Sequence, residues 1–403
     1  LSYRRAKPLF LNQNNQRSAI EMGLTPLYSS VRSILLVLVA GIGDFVMATK
    51  AIRAVRSGYP DAEIHVLTSS EGAAIAQRHP GVDRIWAFPI RELRGDRFRV
   101  RPIIRLLRQL RKIRYDIIAN LYPVGSWAGT AKMGFFFGCL RARIKIGQAS
   151  GLLRLCLDER LPANVFAGKH MVDAMTDVAI AIGGRSDRGG LELSGGNGSA
   201  GKWDALVGAD DGSLPRRVIG INPGGDRPNR RWPAVKFAMA AGALAARCGA
   251  RVLIFGGPGE EPIGQEIQTA LNGAALNLAG RLNLCDLPFF ISRCDLLITN
   301  DSGPMHMAAA LKTPVVALFG PENAACLRPY TSPDLYRVIQ KPVECRPCNQ
   351  ATCSTGLCLE LISPAEVVER CLELLKVADS LNGQSCAENP TVTSTRCSAL
   401  RES

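Results

Sequence analysis

The side chains best able to do chemistry in this chain sit in glycine-containing segments that follow apolar runs. The first segment is A-G-I-G-D, ending in Asp44. Gly41 and Gly43 let the chain turn tightly and let a ligand approach the backbone. Asp44 opens the helix that follows, where a carboxylate is stabilised by unpaired N–H groups and the helix dipole. That carboxylate repels a phosphate at the same helix end, so the turn suits a neutral hydroxyl better than a pyrophosphate. An ionised aspartate can take a proton from a hydroxyl nucleophile. It can equally be a plain helix cap, and the turn alone leaves both readings open.

The remaining segments lie in the second half. N-P-G-G-D-R-P-N-R-R-W-P puts Gly224 and Gly225 in a turn followed by Arg227, Arg230 and Arg231. Forked guanidinium donors suit a diphosphate; the alternative is a solvated loop with Trp232 packed as core. G-G-P-G-E-E offers Glu260 either to ribose hydroxyls or to solvent at a helix start. N-D-S-G-P-M-H places Asn300, Asp301 and Ser302 at a strand end, Gly303 and Pro304 at a helix start, and His306 in its first turn. Backbone N–H groups and an imidazole there can meet a phosphate, and Asp301 can hold sugar hydroxyls. The bland alternative is a capped helix with a buried histidine. Together the three segments describe a nucleotide-diphosphate site. No D-x-D pair stands at a strand end, so the diphosphate charge falls to Arg, His and the helix dipole, with no cofactor required for catalysis.

Elements of alternating type must position these residues. Apolar runs of strand length occur over 33–39, 63–67, 84–88 and 116–120, then over 218–221, 252–255, 276–278, 296–299 and 315–319. Helical periodicity separates them, over 45–56, 71–78 and 103–114, then 233–247, 261–271, 284–293, 305–311 and 364–377. Continuous apolar strands alternating with helices predict an α/β chain with parallel sheets covered on both faces. The expected organisation is an arm over 1–30, a Rossmann-like domain over 31–183, a Gly- and Ser-rich linker over 184–216, a second Rossmann-like domain over 217–378 and a disordered tail over 379–403. Two such lobes predict a ligand cleft between the carboxyl ends of their sheets.

Composition narrows the class. The 403 residues are 47% hydrophobic and 21% charged, which excludes disordered, collagen-like and small disulfide-scaffold chains. No apolar run is long enough for a spanning helix, and residues 1–30 lack a secretory h-region with a small-residue cleavage site. Thirteen cysteines without such a signal argue for a reducing compartment and mostly free thiols. The net charge of +14 is confined to one half: residues 1–183 hold 27 basic and 13 acidic side chains, and residues 184–403 hold 22 of each. Within the basic half, 91–114 carries ten basic residues against Glu92 and Asp96. Arg105, Arg108 and Arg111 line the outer or cleft-facing side of its helix. A solvated face usually mixes signs, so anionic headgroups or the acidic sugars and phosphates of an acceptor are the better partners. No aromatic interleaving or motif supports nucleic acid.

Cys345, Cys348, Cys353 and Cys358 form C-x2-C-x4-C-x4-C. Thiolates this close can bind zinc tetrahedrally, although zinc ribbons place a longer segment between their pairs. Free structural thiols, a structural zinc site and disulfides all remain open. With no histidine near them in sequence, these cysteines are not read as catalytic.

In this order the motifs resemble glycosyltransferase family 9, the ADP-heptose:lipopolysaccharide heptosyltransferase family. The resemblance spans about 32–375 and rests on L-V-L-V-A-G-I-G-D-F-V-M-A-T, the N-P-G-G and G-G-P-G-E-E segments, L-A-G-R-L-N-L, and T-N-D-S-G-P-M-H-M-A-A-A-L-K-T-P-V-V-A-L-F-G-P. It implies a GT-B fold of two doubly wound lobes, with the donor held by the second, and inverting, metal-independent sugar transfer. The family's general base falls on Asp44, its D-x-G-x-x-H on Asp301, Gly303 and His306, its ribose carboxylate on Glu260, and the backbone beside the adenine near Leu282. It implies a nucleotide-sugar donor such as ADP-heptose, an anionic glycolipid acceptor, and a cytoplasmic enzyme peripheral to the inner membrane. Arg230 stands where the family usually has lysine, and Asp226 where it often has a small hydroxyl residue. Both departures bear on donor identity more than on reaction class. The rivals are a nicotinamide-dependent oxidoreductase, disfavoured by the incomplete glycine fingerprint, and a sugar-nucleotide-binding protein with a decayed site.

Overall fold

The computed structural model describes residues 30–77, 79–89, 100–162, 167–194, 199–208, 217–346, 348, 353 and 355–387, with side chains to residue 380. The expected arm, apart from Ser30, lies outside the described residues, as do 91–99 of the basic stretch and 388–403 of the expected tail. The chain divides into two compact units. The first takes the described residues within 1–196 together with Leu284–Pro288 and Asn323–Tyr330; the second takes the rest.

In the first unit the apolar run at the start becomes β1 (Ser33–Leu38), whose last five residues are buried. It is joined by β2 (Glu63–Ser69), β3 (Arg84–Phe88), β4 (Arg114–Asn120), β5 (Arg141–Gln148) and β6 (Glu159–Leu161) in one sheet of order β3-β2-β1-β4-β5-β6. Every pairing is parallel. Ile34 sits between Ile64 of β2 and Ile117 of β4. This strand order reverses direction at β1 and β4, and in such sheets ligands bind outside the carboxyl ends at that point.

One face of the sheet carries α3 (Arg101–Leu110), α4 (Trp127–Cys139) and the 3-10 turn Gly151–Cys156 over a shared core of Leu35, Val37, Tyr115, Ile118, Phe137 and Leu153. α1 (Ile42–Gly58) packs instead against α5 (Met171–Ala181). The helix expected over 103–114 ends at Leu110, because Arg114 already begins β4. Beyond Gly183 the chain stays on α1: Arg53 bonds Asp187 at 2.8 Å and Glu192 at 2.6 Å, and the Glu192 N–H donates to Thr49 Oγ1 at 3.0 Å. Tyr330 is anchored in this unit too, donating to Asp173 Oδ1 at 2.6 Å and accepting from Lys50 Nζ at 2.9 Å.

The histidines of this unit, His65, His79 and His170, are buried, and that burial pushes each below its ordinary pKa. Their neutral forms favour the folded state. Stability is therefore complete above the unfolded value of about 6.5 and is lost as the pH falls through it, because the unfolded chain then binds protons that the folded chain excludes. We expect thermal unfolding of the first unit to shift down between about pH 7.5 and 5.5, by up to about 1.4 kcal/mol per pH unit for each histidine. His65→Gln, His79→Gln and His170→Gln together should flatten that dependence; an unchanged slope would contradict the assignment.

The second unit repeats the plan. Strands β7 (Arg217–Asn222), β8 (Ala250–Ile254), β9 (Ala275–Asn277), β10 (Leu296–Asn300), β11 (Val315–Phe319) and β12 (Tyr336–Gln340) form a parallel sheet of order β12-β11-β10-β7-β8-β9. Its direction reverses at β7 and β10. α6 (Ala200–Leu206) buries Trp203 against Phe290. α7 (Ala234–Cys248) and the last helix, Pro364–Ala387, cover the core around Trp232, Phe237, Leu244, Ile298 and Leu374. That last helix runs ten residues beyond the expected end at 377.

Candidate functional site

In the first unit Asp44 follows the carboxyl end of β1 directly, at the point where the strand order reverses. It is the third residue of α1, and its Oδ2 accepts from the Gly41 N–H at 2.9 Å, satisfying the backbone donor at the helix start. The carboxylate is half-buried. Capping thus fixes the orientation of the side chain, and a carboxylate has lone pairs beyond the one used in the cap. Cap and base are therefore compatible roles.

The glycine reading needs one correction. Gly41 has φ −71° and ψ 179°, which any residue adopts, and an added Cβ would sit an ordinary 3.4 Å from Asp44 Oδ2. Tight turning does not require glycine at 41; close approach of a ligand is the remaining reason. Gly41→Ala should leave stability within about 0.5 kcal/mol of the parent, measured by chemical denaturation. A larger loss would mean that the turn itself needs the glycine.

In the second unit the expected residues meet along one carboxyl edge. Gly224 and Gly225 follow β7, Glu260 follows β8, Leu282 follows β9, and Asp301, Ser302, Gly303 and His306 follow β10. Asn300 fastens the two switch-point loops: its Nδ2 donates to the carbonyls of Pro223 and Gly224, and its Oδ1 accepts from the Trp232 N–H at 3.0 Å. Asn222 donates to Ser302 Oγ at 3.2 Å, so the Ser302 hydroxyl braces the loop from within. The turn of 279–282 lies beside that of 256–260, joined by Gly280 N–H to Gly256 O at 3.1 Å.

Glu260 does something its position in sequence did not show. Its two oxygens accept from Gly225 N–H and Gly257 N–H, each at 2.8 Å, so one carboxylate ties two glycine turns together. Gly224 is required by that close approach, since a Cβ there would fall 2.2 Å from Glu260 Oε2. The first task of this carboxylate is to hold the turns.

Arg230 lies between two acids. It pairs with Glu322, and its Nη1 is 3.8 Å from buried Asp301. Its Nε–H is buried with no acceptor among the described residues. Arg231 bonds the Gly225 carbonyl at 2.7 Å and lies 3.7 Å from Glu260. Both guanidinium groups are thus already opposed by carboxylates. Glu322 was missed in the sequence, although F-G-P-E is another glycine turn at a strand end. The helix α10 (Gly303–Ala310) offers fewer donors than expected: Pro304 has no N–H, and the Met305 amide is used on Ser302 O at 3.1 Å. His306 is buried beside that end, and Asp226 is exposed.

Away from these edges, Arg105, Arg108 and Arg111 are exposed along α3 and make no ion pair among the described residues. Cys345 and Cys353 are exposed, Cys348 half-buried and Cys358 buried, all as free thiols. A bond from Thr355 Oγ1 and then backbone N–H groups lower the Cys353 thiol, while burial raises that of Cys358. Among the described residues no three His, Cys, Asp or Glu side chains gather to hold a metal ion, and no helix is long and apolar enough to cross a membrane.

Comparison with known proteins follows the same lines. The Lipopolysaccharide heptosyltransferase 2 of Salmonella typhimurium is 29% identical over 310 residues, 72% of this chain and 83% of that one. The Lipooligosaccharide heptosyltransferase 2 of Campylobacter jejuni is 34% identical over 168 residues; the match spans about half, 52%, of its length. That of Haemophilus influenzae is 41% identical, with the match spanning 32% of its length. Among solved structures, E. coli ADP-heptose LPS heptosyltransferase II superposes with a TM-score of 0.65 at 25% identity, over 86% of this chain and 99% of that one. The family 9 glycosyl transferase of Veillonella parvula gives 0.69 at 24% identity, over 86% and 97%. The two Rossmann-like units are the lobes of a GT-B fold. The model of glycosyltransferase family 9 (heptosyltransferase) matches residues 103–358, which take in the whole second sheet, the arginine turn and the Asp301–His306 helix end, and the chain belongs to that family.

Proposed function

We propose that this chain transfers a heptose from ADP-heptose to an anionic, lipopolysaccharide-type acceptor, with inversion and without a metal, at the cytoplasmic face of the inner membrane. The observation that carries the reading is the pair of switch-point edges: a capped, oriented Asp44 on one, and Arg230, Asp301, Gly303 and His306 gathered on the other, in a family 9 chain. Asp44 takes the proton as the acceptor oxygen bonds to the anomeric carbon. The bond from that carbon to the diphosphate oxygen breaks, and the ADP formed is stabilised by Arg230, His306 and the backbone donors beside Gly225 and Gly303. Leu282 and Glu260 flank the adenosine.

A direct test incubates the chain with ADP-, UDP- and GDP-linked sugars and a heptose-deficient lipopolysaccharide acceptor. Release of ADP, heptosylated product by mass, an inverted anomeric centre by NMR and indifference to EDTA are expected. Preference for UDP or GDP would change the donor, and nucleotide binding without turnover on any acceptor would leave a binding protein. Neutralising Arg105, Arg108 and Arg111 together should weaken acceptor and anionic-vesicle binding, with the salt dependence reduced, while sparing nucleotide affinity. Equal loss of both would contradict an acceptor-side role.

A further inference from the structure

α4 is apolar over most of its surface. Its sequence W-A-G-T-A-K-M-G-F-F-F-G-C has one charged residue, Lys132. Phe136 and Phe137 point into the core, yet Trp127 and Phe135 are 73% and 71% exposed. A helix that is hydrophobic all round belongs in a core or in lipid. The 3-10 turn beside it repeats the pattern: Leu153 is fully buried, while Leu155 is 67% and Leu152 40% exposed. The two elements are closely joined, since a Cβ at Gly134 would lie 3.2 Å from Leu152 O. Their outward apolar side chains therefore form a fixed patch on one layer, the layer that also carries α3.

The charge carried by the patch's own segment is basic, with the acids Asp158 and Glu159 following just beyond the 3-10 turn. Residues 117–157 contain no Asp or Glu, and they contribute Lys132, Arg141, Arg143, Lys145 and Arg154. Between 97 and 157 the single acid is Asp116, and its carboxylate is occupied by the backbone N–H groups of Arg32 and Ser33. Both α4 and the 3-10 turn begin just beyond carboxyl ends of strands, β4 and β5, on the sheet edge that holds Asp44. Exposed aromatic and leucine side chains in a segment with an excess of cations fit the boundary between anionic headgroups and acyl chains.

We propose that α4 and the 3-10 turn Gly151–Cys156 seat this chain on an anionic lipid bilayer, with Trp127, Phe135, Leu152 and Leu155 entering the headgroup boundary. Its purpose, presenting a membrane-held acceptor to Asp44, rests on the transferase reading; the docking itself does not. Of the four tryptophans, Trp86, Trp203 and Trp232 are buried, so Trp127 reports on this surface. The full chain should bind vesicles of phosphatidylethanolamine and phosphatidylglycerol but not of phosphatidylcholine alone, and brominated acyl chains should quench its emission. Trp127→Phe should keep the binding and lose the quenching. Trp127→Ser with Leu155→Ser should weaken vesicle binding about tenfold or more, with ADP binding and transfer to a water-soluble, deacylated acceptor unchanged. Vesicle binding without quenching would overturn insertion. A dimer in solution that the double serine variant dissolves, with no vesicle binding, would make the patch an interface between copies. Failure on the soluble acceptor by the parent chain would sink the transferase reading and leave the vesicle result standing.

Discussion

Asp44→Asn is expected to lower the rate of sugar transfer about a thousandfold while leaving nucleotide affinity unchanged, the middle of the range for loss of a general base. The amide keeps nearly the same shape, and its oxygen can still accept the Gly41 N–H at the helix start. What it cannot do is take a proton from the acceptor hydroxyl. Asp44→Ala gives the complementary result: the cap is lost as well, with about 1 kcal/mol of stability. The two variants separate the roles, because Asn should retain the melting temperature of the parent and Ala should not. Transfer by Asp44→Asn at the parent rate would remove Asp44 as the base. Loss of ADP binding in the same variant would show that this turn belongs to the donor site instead.

The second large effect concerns Arg230. Arg230→Ala should weaken ADP binding about tenfold to a hundredfold, the range of a charge-assisted hydrogen bond. The reason is sharper than loss of a cation. Glu322 and Asp301 both flank this guanidinium, so its removal leaves two carboxylates facing an incoming diphosphate. Glu322→Gln should act in the opposite direction and tighten ADP binding, since a diphosphate no longer competes with a carboxylate for the forked donors. Arg230→Lys keeps the charge but not the fork and should fall between. Calorimetric titration with ADP measures all three. Equal affinity in Arg230→Ala, or weaker binding in Glu322→Gln, would place the diphosphate away from Arg230.

The strands most plainly legible in sequence share one property. β1, β7, β10 and β11 are buried on both faces, so each reads as an unbroken apolar run. β5 was not read because its sequence R-A-R-I-K-I-G-Q alternates charged and apolar residues, the pattern of a strand half-covered near a sheet edge. β6 and β12, also unread, are edge strands, one only three residues long and the other only partly buried, whereas the edge strands β3 and β9 were read. α4 escaped for the opposite reason: a helix apolar all round has no 3.6-residue period to detect. In the candidate site, spacing found the residues that follow strand ends but not their mutual bonds. Glu260 was legible as a carboxylate near a turn, whereas its hold on Gly225 depends on a contact 35 residues away in sequence. The ties from Asn300 to Pro223 and from Arg230 to Glu322 are likewise made across strands, where local pattern carries no information.

The assignment of Asn323–Tyr330 to the first unit bears on how the chain is made. A ribosome delivers all six strands of the first sheet by Leu161, yet the phenol that receives Lys50 and bonds Asp173 belongs to Tyr330. The backbone carbonyl that meets His170, that of Arg328, emerges equally late. During the intervening synthesis the nascent first unit carries an ammonium, a carboxylate and an imidazole whose final partners do not yet exist. Its maturation therefore waits for translation beyond β11, through Arg328 and Tyr330, long after its own sheet is complete.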